Sequence, residues 1–170
     1  MSDGSARARG PASPGRPGCP SPGLAIAFQP NPIEDERRQR MAHPNEEVAR
    51  SATEALSKGD MEGFLGHHRD DVVVHFPGRG PMAGDYRGKN GVGEMFQKQM
   101  QMLDSPPQIE THDILANDDH AVVLNKVRGT RHGKTLEQQQ VVVLHIKGGK
   151  IAEVWLQFSD QQAMDEMASS

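Results

Sequence analysis

The stretch HAVVLNKVRGTRHGKTLEQQQVVVLHIKGGKIAEVWLQF, residues 120–158, decides the fold of this chain of 170 residues. Polar and apolar side chains alternate along much of it, which is the period of a β-strand with one buried face. Turns divide it at Arg131-His132-Gly133 and at Lys147-Gly148-Gly149, and another turn, Asn117-Asp118-Asp119, precedes it. We therefore predict an antiparallel meander of four strands, over about residues 108–116, 120–130, 134–146 and 151–158.

The residues on either side of the meander predict helices and one short strand. Helix caps are expected at Asn45, Asp60, Asn90 and Asp160, and Gly59 ends the first helix. Residues 71–76 predict a strand, and residues 77–89 a loop or a small hairpin. Helices segregated from an antiparallel sheet indicate an α+β domain, with about three N-terminal helices packed on the concave face of a curved sheet.

The composition changes near residue 42. Seven of the 12 prolines lie within the first 32 residues, where the only apolar cluster is Leu24 to Phe28. That cluster cannot offset the entropy of ordering, so we predict a disordered tail over residues 1–42 and one domain over residues 43–170. It is also too short for the apolar core of a signal peptide, ~7–15 residues, which favours a cytoplasmic protein.

An alternative interpretation of the tail is a mis-called start. Met41 directly precedes the first predicted helix. The preceding residues, Glu34 to Arg40, suit purine-rich codons that resemble a bacterial ribosome-binding site. Sequencing the N-terminus of the native protein tests this hypothesis.

Composition also excludes several classes of protein. No apolar run approaches the ~20 residues of a membrane-spanning helix, and the single cysteine, Cys19, excludes a disulfide scaffold. Residues 41–170 hold 13 Lys and Arg against 19 Asp and Glu, with one Trp and one Tyr. Because nucleic-acid binding needs clustered cations and stacking platforms, we expect neither a nucleic-acid nor a membrane partner.

Several segments resemble the SnoaL-like proteins of the nuclear transport factor 2-like superfamily, to which ketosteroid isomerase and limonene epoxide hydrolase belong. The similar segments span most of residues 45–168: ALSKGDMEGF (55–64), DDVVVHFPG (70–78), GDYRG (84–88) and GKIAEVW (149–155), then Phe158 and Asp160. The resemblance implies a cone-shaped sheet, a deep apolar pocket between sheet and helices, and commonly a homodimer formed through sheet faces. It implies no single activity, since this fold hosts isomerases, cyclases, dehydratases, hydrolases and non-catalytic binders.

The catalytic groups of the two named enzymes do not match this chain. By the resemblance, Phe76, Ala52 and Val142 occupy the positions of the base, the tyrosine and the second acid of ketosteroid isomerase. The carboxylates and arginine of the epoxide hydrolase fall on Val142, Gln140 and Leu156. These side chains cannot perform either reaction, which argues against both activities.

Strand pairing predicts which side chains face the pocket. A tight turn at His132-Gly133 sets Asn125 opposite Gln140 and Val127 opposite Gln138, and opposed residues share a face. The last strand is expected to turn Val154, Leu156 and Phe158 inward and Glu153, Trp155 and Gln157 outward, unless a one-residue slip exchanges the sets. The predicted ligand-binding residues are Phe76, Met82, Tyr86, Phe96, Asn125, Val127, Gln138, Gln140, Val142, Val154, Leu156 and Phe158.

Two residues are candidates for catalysis. His75 suits a general base near neutral pH, with Tyr86 or Asp85 as its acid–base partner. Strict alternation allows only one of His75 and Phe76 to face the pocket, so a structural histidine is the alternative. Adjacent His67-His68 suggests a metal, but no HExxH motif or third ligand accompanies it, so no metal site is predicted. No cofactor is implied.

Three functions are consistent with these observations. The first is a small-molecule-binding domain whose apolar pocket takes a hydrophobic or polycyclic molecule. The second is a cofactor-independent isomerase, cyclase or dehydratase that uses His75 as acid and base. The third is a non-catalytic dimerisation domain. The missing carboxylates favour the first over the second.

Overall fold

The computed structural model describes residues 42–169. The predicted tail lies outside them, apart from its last residue. Four helices and six strands follow in chain order: α1 Pro44–Ser57, α2 Met61–Gly66, β1 His68–Phe76, β2 Gly84–Arg87, α3 Gly88–Met102, β3 Gln108–Ala116, β4 His120–Arg131, β5 Lys134–Lys147, β6 Lys150–Phe158 and α4 Gln161–Ser169. The predicted α+β class is confirmed. Residues 77–89, predicted as a loop or a small hairpin, contain the short strand β2, which pairs with β1 as an antiparallel hairpin.

All six strands form one curved sheet, in the order β2-β1-β6-β5-β4-β3. The meander is antiparallel as predicted, but β1 pairs with β6 in parallel, so the sheet is mixed rather than wholly antiparallel. The reason is topological. Helix α3 carries the chain from β2 at one edge to β3 at the other, and the meander returns strand by strand until β6 lies beside β1.

The helix caps follow local chemistry, with two differences from prediction. Asp60 caps α2 and Asp160 caps α4, as expected. Helix α1 is capped by His43, not Asn45, because Pro44 takes the first helical position, for which its fixed φ is suited. Helix α3 begins at Gly88, before the predicted cap Asn90.

Asn45, displaced from the cap position, joins α1 to the sheet. Its side chain is 8% exposed, and Nδ2 donates to the carbonyl oxygens of Asn117 and Asp118, each at 2.8 Å. Both acceptors lie in the turn between β3 and β4. The residue therefore fixes helix α1 against the meander instead of starting the helix.

The predicted strand register is confirmed. Asn125 pairs with Gln140 and Thr130 with Thr135. On β6 the residues Val154, Leu156 and Phe158 face inward, because an irregularity between His145 and Ile146 absorbs the shift near the Gly148-Gly149 turn.

The core lies between the inner, concave face of the sheet and the helices. Its most buried members include Ala49, Val72, Val92, Ala121 and Ile151, each at most 1% exposed. Met164 and Ala168 of α4 close one end of this cluster. Within residues 42–169, no helix has the length and apolar character needed to cross a membrane.

Candidate functional site

The twelve predicted ligand-binding residues all belong to the inner side of the sheet or to the segments packed on it. One group is packed into the core with at most 9% exposure: Phe76, Met82, Tyr86, Asn125, Gln138, Val154 and Leu156. The other group is only half-buried: Phe96, Val127, Gln140, Val142 and Phe158. Of these half-buried predicted residues, Gln140 is polar and the other four are apolar.

A row of hydrogen bonds crosses the inner face to Gln140. Thr111 on β3 pairs with Asn125 on β4, which pairs with Gln140 on β5. The Thr111 hydroxyl donates to Asn125 Oδ1 at 3.0 Å, and Asn125 Nδ2 donates to Gln140 Oε1 at 3.1 Å. We call these three residues the amide row. Sequence reasoning found the two amides but missed Thr111, since the irregularity in β3 between Thr111 and Asp113 interrupts its alternation.

The third predicted amide, Gln138, has a structural role at the end of the sheet. Its Nε2 donates to the sulfur of Met164 at 3.5 Å, and its Oε1 accepts from the backbone N–H of Asp160 at 3.3 Å. Both contacts hold helix α4 against β5. Both the –NH2 group and the oxygen of the Gln138 amide are therefore already hydrogen-bonded.

The positions that resemble the ketosteroid isomerase site are apolar and packed. Ala52 and Phe76 are 3% and 6% exposed, and Val142 packs against the same core. Phe76 lies against Phe158, with ring centroids 5.4 Å apart. This part of the inner face supplies contact area and no proton-transfer group.

Tyr86 and His75 do not meet. Tyr86 pairs with Val74 across β1 and β2, so it faces inward, and its hydroxyl donates to the Met82 carbonyl at 2.9 Å. His75 pairs with Asp85 and faces the outer side. The apolar alternation Val72, Val74, Phe76 was the signal for this orientation, because all three are buried.

His75 lies between two carboxylates on the outer face. Its Nδ1 is 2.7 Å from Asp85 Oδ1, and its Nε2 is 2.8 Å from Glu153 Oε1. Ionised carboxylates only accept hydrogen bonds, so the ring can make both contacts at once only as an imidazolium, in which both nitrogens donate. Partial desolvation lowers the pKa of His75, but the hydrogen bonds that its ring donates to Glu153 and Asp85 outweigh this effect and raise the pKa overall.

Other aromatic and charged groups extend this cluster. The His75 ring stacks on Trp155 with 5.5 Å between centroids, and Arg87 donates to the second oxygen of Asp85 at 3.0 Å. The other Glu153 oxygen is 4.0 Å from Nδ1 of His145, whose ring stacks on His120. We call His75, Asp85 and Glu153 the outer bracket. The hydrogen bond to His75 lowers the pKa of Asp85.

Two surface depressions lie away from the packed apolar residues. One, of about 540 Å³, is lined by Asn125, Gln138 and Gln140 and by outer-face side chains such as Lys126 and Glu137. The other, of about 370 Å³, is lined by His68, Arg69, Asp70, Asp71, Lys89 and Lys150. Neither arrangement resembles a metal centre, and the described residues contain no group of three His, Cys, Asp or Glu side chains placed to hold an ion.

His68, in the second depression, is neutral. It is 3% exposed, and burial lowers the pKa of its imidazole to about 4. Its Nδ1 lies 2.9 Å from the Phe64 carbonyl oxygen and therefore donates to it. The pKa values of the two histidines of β1 are thus shifted in opposite directions.

The chain was compared with known families, curated proteins and solved structures. The SnoaL-like domain model matches residues 48–154. An uncharacterised protein of Mycobacterium tuberculosis is 25% identical over 120 residues, which are 70% of this chain and 92% of that protein. A Xanthomonas campestris protein of unknown function with a cystatin-like fold is 31% identical, covers 74% of this chain and 98% of its own, and has a TM-score of 0.69.

A third similar protein was solved with a bound molecule. The M. tuberculosis protein RV0760c, in complex with estradiol-17β-hemisuccinate, covers 71% of this chain and 96% of its own. Its identity is 19% and its TM-score 0.58, which shows a shared fold. Solved nuclear transport factor 2-like proteins share that fold as well. The chain therefore belongs to the SnoaL-like domain family and has the fold of nuclear transport factor 2-like proteins.

Proposed function

We propose that this chain binds a small hydrophobic or polycyclic molecule on the inner face of its sheet. The observation that carries the proposal is the half-buried apolar surface around Gln140, with Phe96, Val127, Val142 and Phe158. An accessible apolar surface with one polar group is the usual composition of a small-molecule site. The family supports the same class, since its fold serves small-molecule-binding and isomerase-type domains. The similar protein RV0760c was solved in complex with a polycyclic molecule, a steroid conjugate.

The geometry favours binding over acid–base catalysis by His75. A substrate on the inner face is separated from His75 by the sheet itself. Tyr86, which was predicted as an acid–base partner of His75, is 7% exposed, and its hydroxyl already donates to the Met82 carbonyl. Binding requires no change in the inner face. Catalysis by His75 and Tyr86 together would require both side chains to lie on the same face of the sheet.

We further propose a homodimer formed through the outer face. Four apolar or aromatic side chains form one row across it: Trp155, Val143, Val122 and Leu115 are consecutive cross-strand partners. Leu115 is 55% exposed. The outer bracket lies beside one end of the row, and the ion pair of Lys126 with Glu137 lies on the same face. An apolar centre with a charged rim is the composition of protein interfaces, and a second copy supplies the matching row.

Adjacent residues of β5 allow both proposals to be tested with matched variants. Val142 faces inward and Val143 outward, and both are half-buried valines. We expect Val142→Gln to weaken binding of the tricyclic ketone 9-fluorenone at least tenfold while the chain remains a dimer. Val143→Glu should produce a monomer that still binds the ketone.

Native mass spectrometry of the full chain, compared with its denatured mass, reports the oligomeric state and any retained molecule together. Fluorescence titration with 9-fluorenone then gives the dissociation constants. Equal loss of binding in the Val142 and Val143 variants contradicts the inner-face site. A wild-type monomer at micromolar concentration contradicts the dimer.

A further inference from the structure

The amide row ends in an unused donor. Thr111 donates to Asn125, and Asn125 donates to the oxygen of Gln140. The oxygen of the Gln140 amide is therefore occupied, and the –NH2 group is the end of the row. Within residues 42–169, no acceptor bonds this –NH2 group.

Among residues 42–169, the neighbours of Gln140 on the sheet leave that donor unbonded. Its cross-strand partners are Asn125 and Phe158. The next inward residue on one side along β5 is Val142, and on the other side it is Gln138, whose amide is bonded at both ends to α4. The described strand residues that face inward around Gln140 are uncharged: Val123, Asn125, Val127, Gln138, Val142, Val154, Leu156 and Phe158.

We infer that Gln140 is the specificity-determining residue of the inner face, and that it selects ligands with a hydrogen-bond acceptor, a ketone or other carbonyl oxygen, on an apolar ring system. The inference rests on the proposed function, because it names the ligand class of the same site. An amide –NH2 group donates and cannot accept. A wholly apolar ligand would cover this donor and leave it unsatisfied, which is unfavourable in a partly buried site.

The direction of the row decides the ligand chemistry. If the order were reversed, Gln140 would donate to Asn125 and present its carbonyl oxygen, and the site would select a hydroxyl donor. In the structure the oxygen of Asn125 accepts from Thr111 and its –NH2 group donates to Gln140, so the –NH2 group of Gln140 is the group presented to a ligand. The prediction is therefore specific to acceptors, and a single family of probes separates the two directions.

Three compounds with one tricyclic skeleton provide the test. Fluorene has no polar group, 9-fluorenone carries a carbonyl acceptor, and 9-fluorenol carries a hydroxyl that also donates. We expect the full-length wild-type chain to bind fluorenone about tenfold more tightly than fluorene, the effect of one ordinary hydrogen bond. Isothermal titration calorimetry or fluorescence gives the three dissociation constants.

Variants at Gln140 and its outward neighbour complete the experiment. Gln140→Leu should bring the fluorenone-to-fluorene ratio near one, and Gln139→Leu, on the outer face, should leave it at about ten. Gln140→Glu replaces the donor with an acceptor, so its preference should change to fluorenol. Circular dichroism and the thermal midpoint verify that each variant is folded.

The outcomes separate the two proposals. If none of the compounds binds the wild-type chain, the proposed function fails, and this inference fails with it. If fluorene and fluorenone bind equally and Gln140→Leu changes neither, the binding site stands and the role of Gln140 is overturned. If the wild-type chain prefers fluorenol to fluorenone, Gln140 presents an acceptor, and the inference is overturned in its polarity.

Discussion

The two faces of this sheet handle polar groups in opposite ways, and the contrast begins at adjacent residues. Phe76 faces inward and is packed against Phe158, whereas His75 faces outward and is held between Asp85 and Glu153. Around Asn125 and Gln140 the inner face joins its polar side chains through neutral groups, whereas the outer face around His75 uses charges. Charged groups stay where water can reach them, since burying an ion is far more costly than burying a bonded amide.

This difference between the two faces indicates which kind of partner each face can bind. The inner face has no charged strand residue around Gln140, so an apolar molecule can bind there without the desolvation of an ion. An outer face with charges beside an apolar row is suited to association between proteins. The following predictions test the contrast by changing matched residues on the two faces.

The largest expected effect is on packing at the adjacent pair. Phe76→Ala removes a nearly buried ring from the inner face and should lower the free energy of unfolding by about 4 kcal/mol. His75→Ala removes a partly exposed ring and should lower it by less than about 1 kcal/mol. Urea denaturation at pH 6 measures both. Similar losses at the two positions would show that the faces are not different in packing.

His68 provides the next largest effect, at acid pH. Its pKa in the folded chain is about 4, below the ordinary 6.5, so its contribution to stability is complete above pH 6.5 and is lost as the pH falls toward 4. The full loss corresponds to about 3 kcal/mol. We expect His68→Gln to remove this acid-dependent loss, as measured by urea denaturation between pH 7 and pH 4. An unchanged slope in the variant would contradict a buried neutral histidine.

The amide row and its outward neighbour provide a third comparison. Asn125→Leu leaves both the Thr111 hydroxyl and the Gln140 oxygen without their partner, and should lower the free energy of unfolding by about 2 kcal/mol. Lys126→Leu removes a half-exposed ion pair with Glu137, which water screens, and should change the free energy of unfolding far less. Chemical denaturation of both variants at neutral pH measures the difference. A neutral effect of Asn125→Leu would mean that water replaces the row without loss.

The sequence predicted those features that depend on neighbouring residues. The turn at His132-Gly133 fixed the pairing of Asn125 with Gln140 through simple counting, and the period of two then assigned every inward residue of β5. The parallel pairing of β1 with β6 was missed, because it depends on how α3 carries the chain across the sheet. Local patterns contain no information on that crossing.

The outer bracket was harder to predict than the fold, because its contacts also depend on the parallel pairing of β1 with β6. His75 contacts Asp85, ten residues away, and Glu153, 78 residues away. Sequence reasoning recognised His75 and Asp85 as partners and placed Glu153 outward, but it did not bring the three together. The parallel register of His75 with Trp155 does so, since Glu153 lies two residues before Trp155 on the same face.

The smallest expected effect is the pH dependence of the outer bracket. The pKa of His75 is raised in the folded chain, so its contribution is complete below the unfolded value of about 6.5 and is lost as the pH rises through the folded pKa. Asp85→Asn removes one carboxylate and should lower the pKa of His75, as followed by NMR titration of the imidazole. Asp71→Asn is a matched control, because Asp71 pairs with Arg69 and not with the bracket. The sign is opposite to that of His68, so raising the pH from 6 to 8 should weaken the bracket while His68 stays neutral. An equal pKa of His75 in the wild-type chain and in Asp85→Asn would show that Glu153 alone holds the imidazolium.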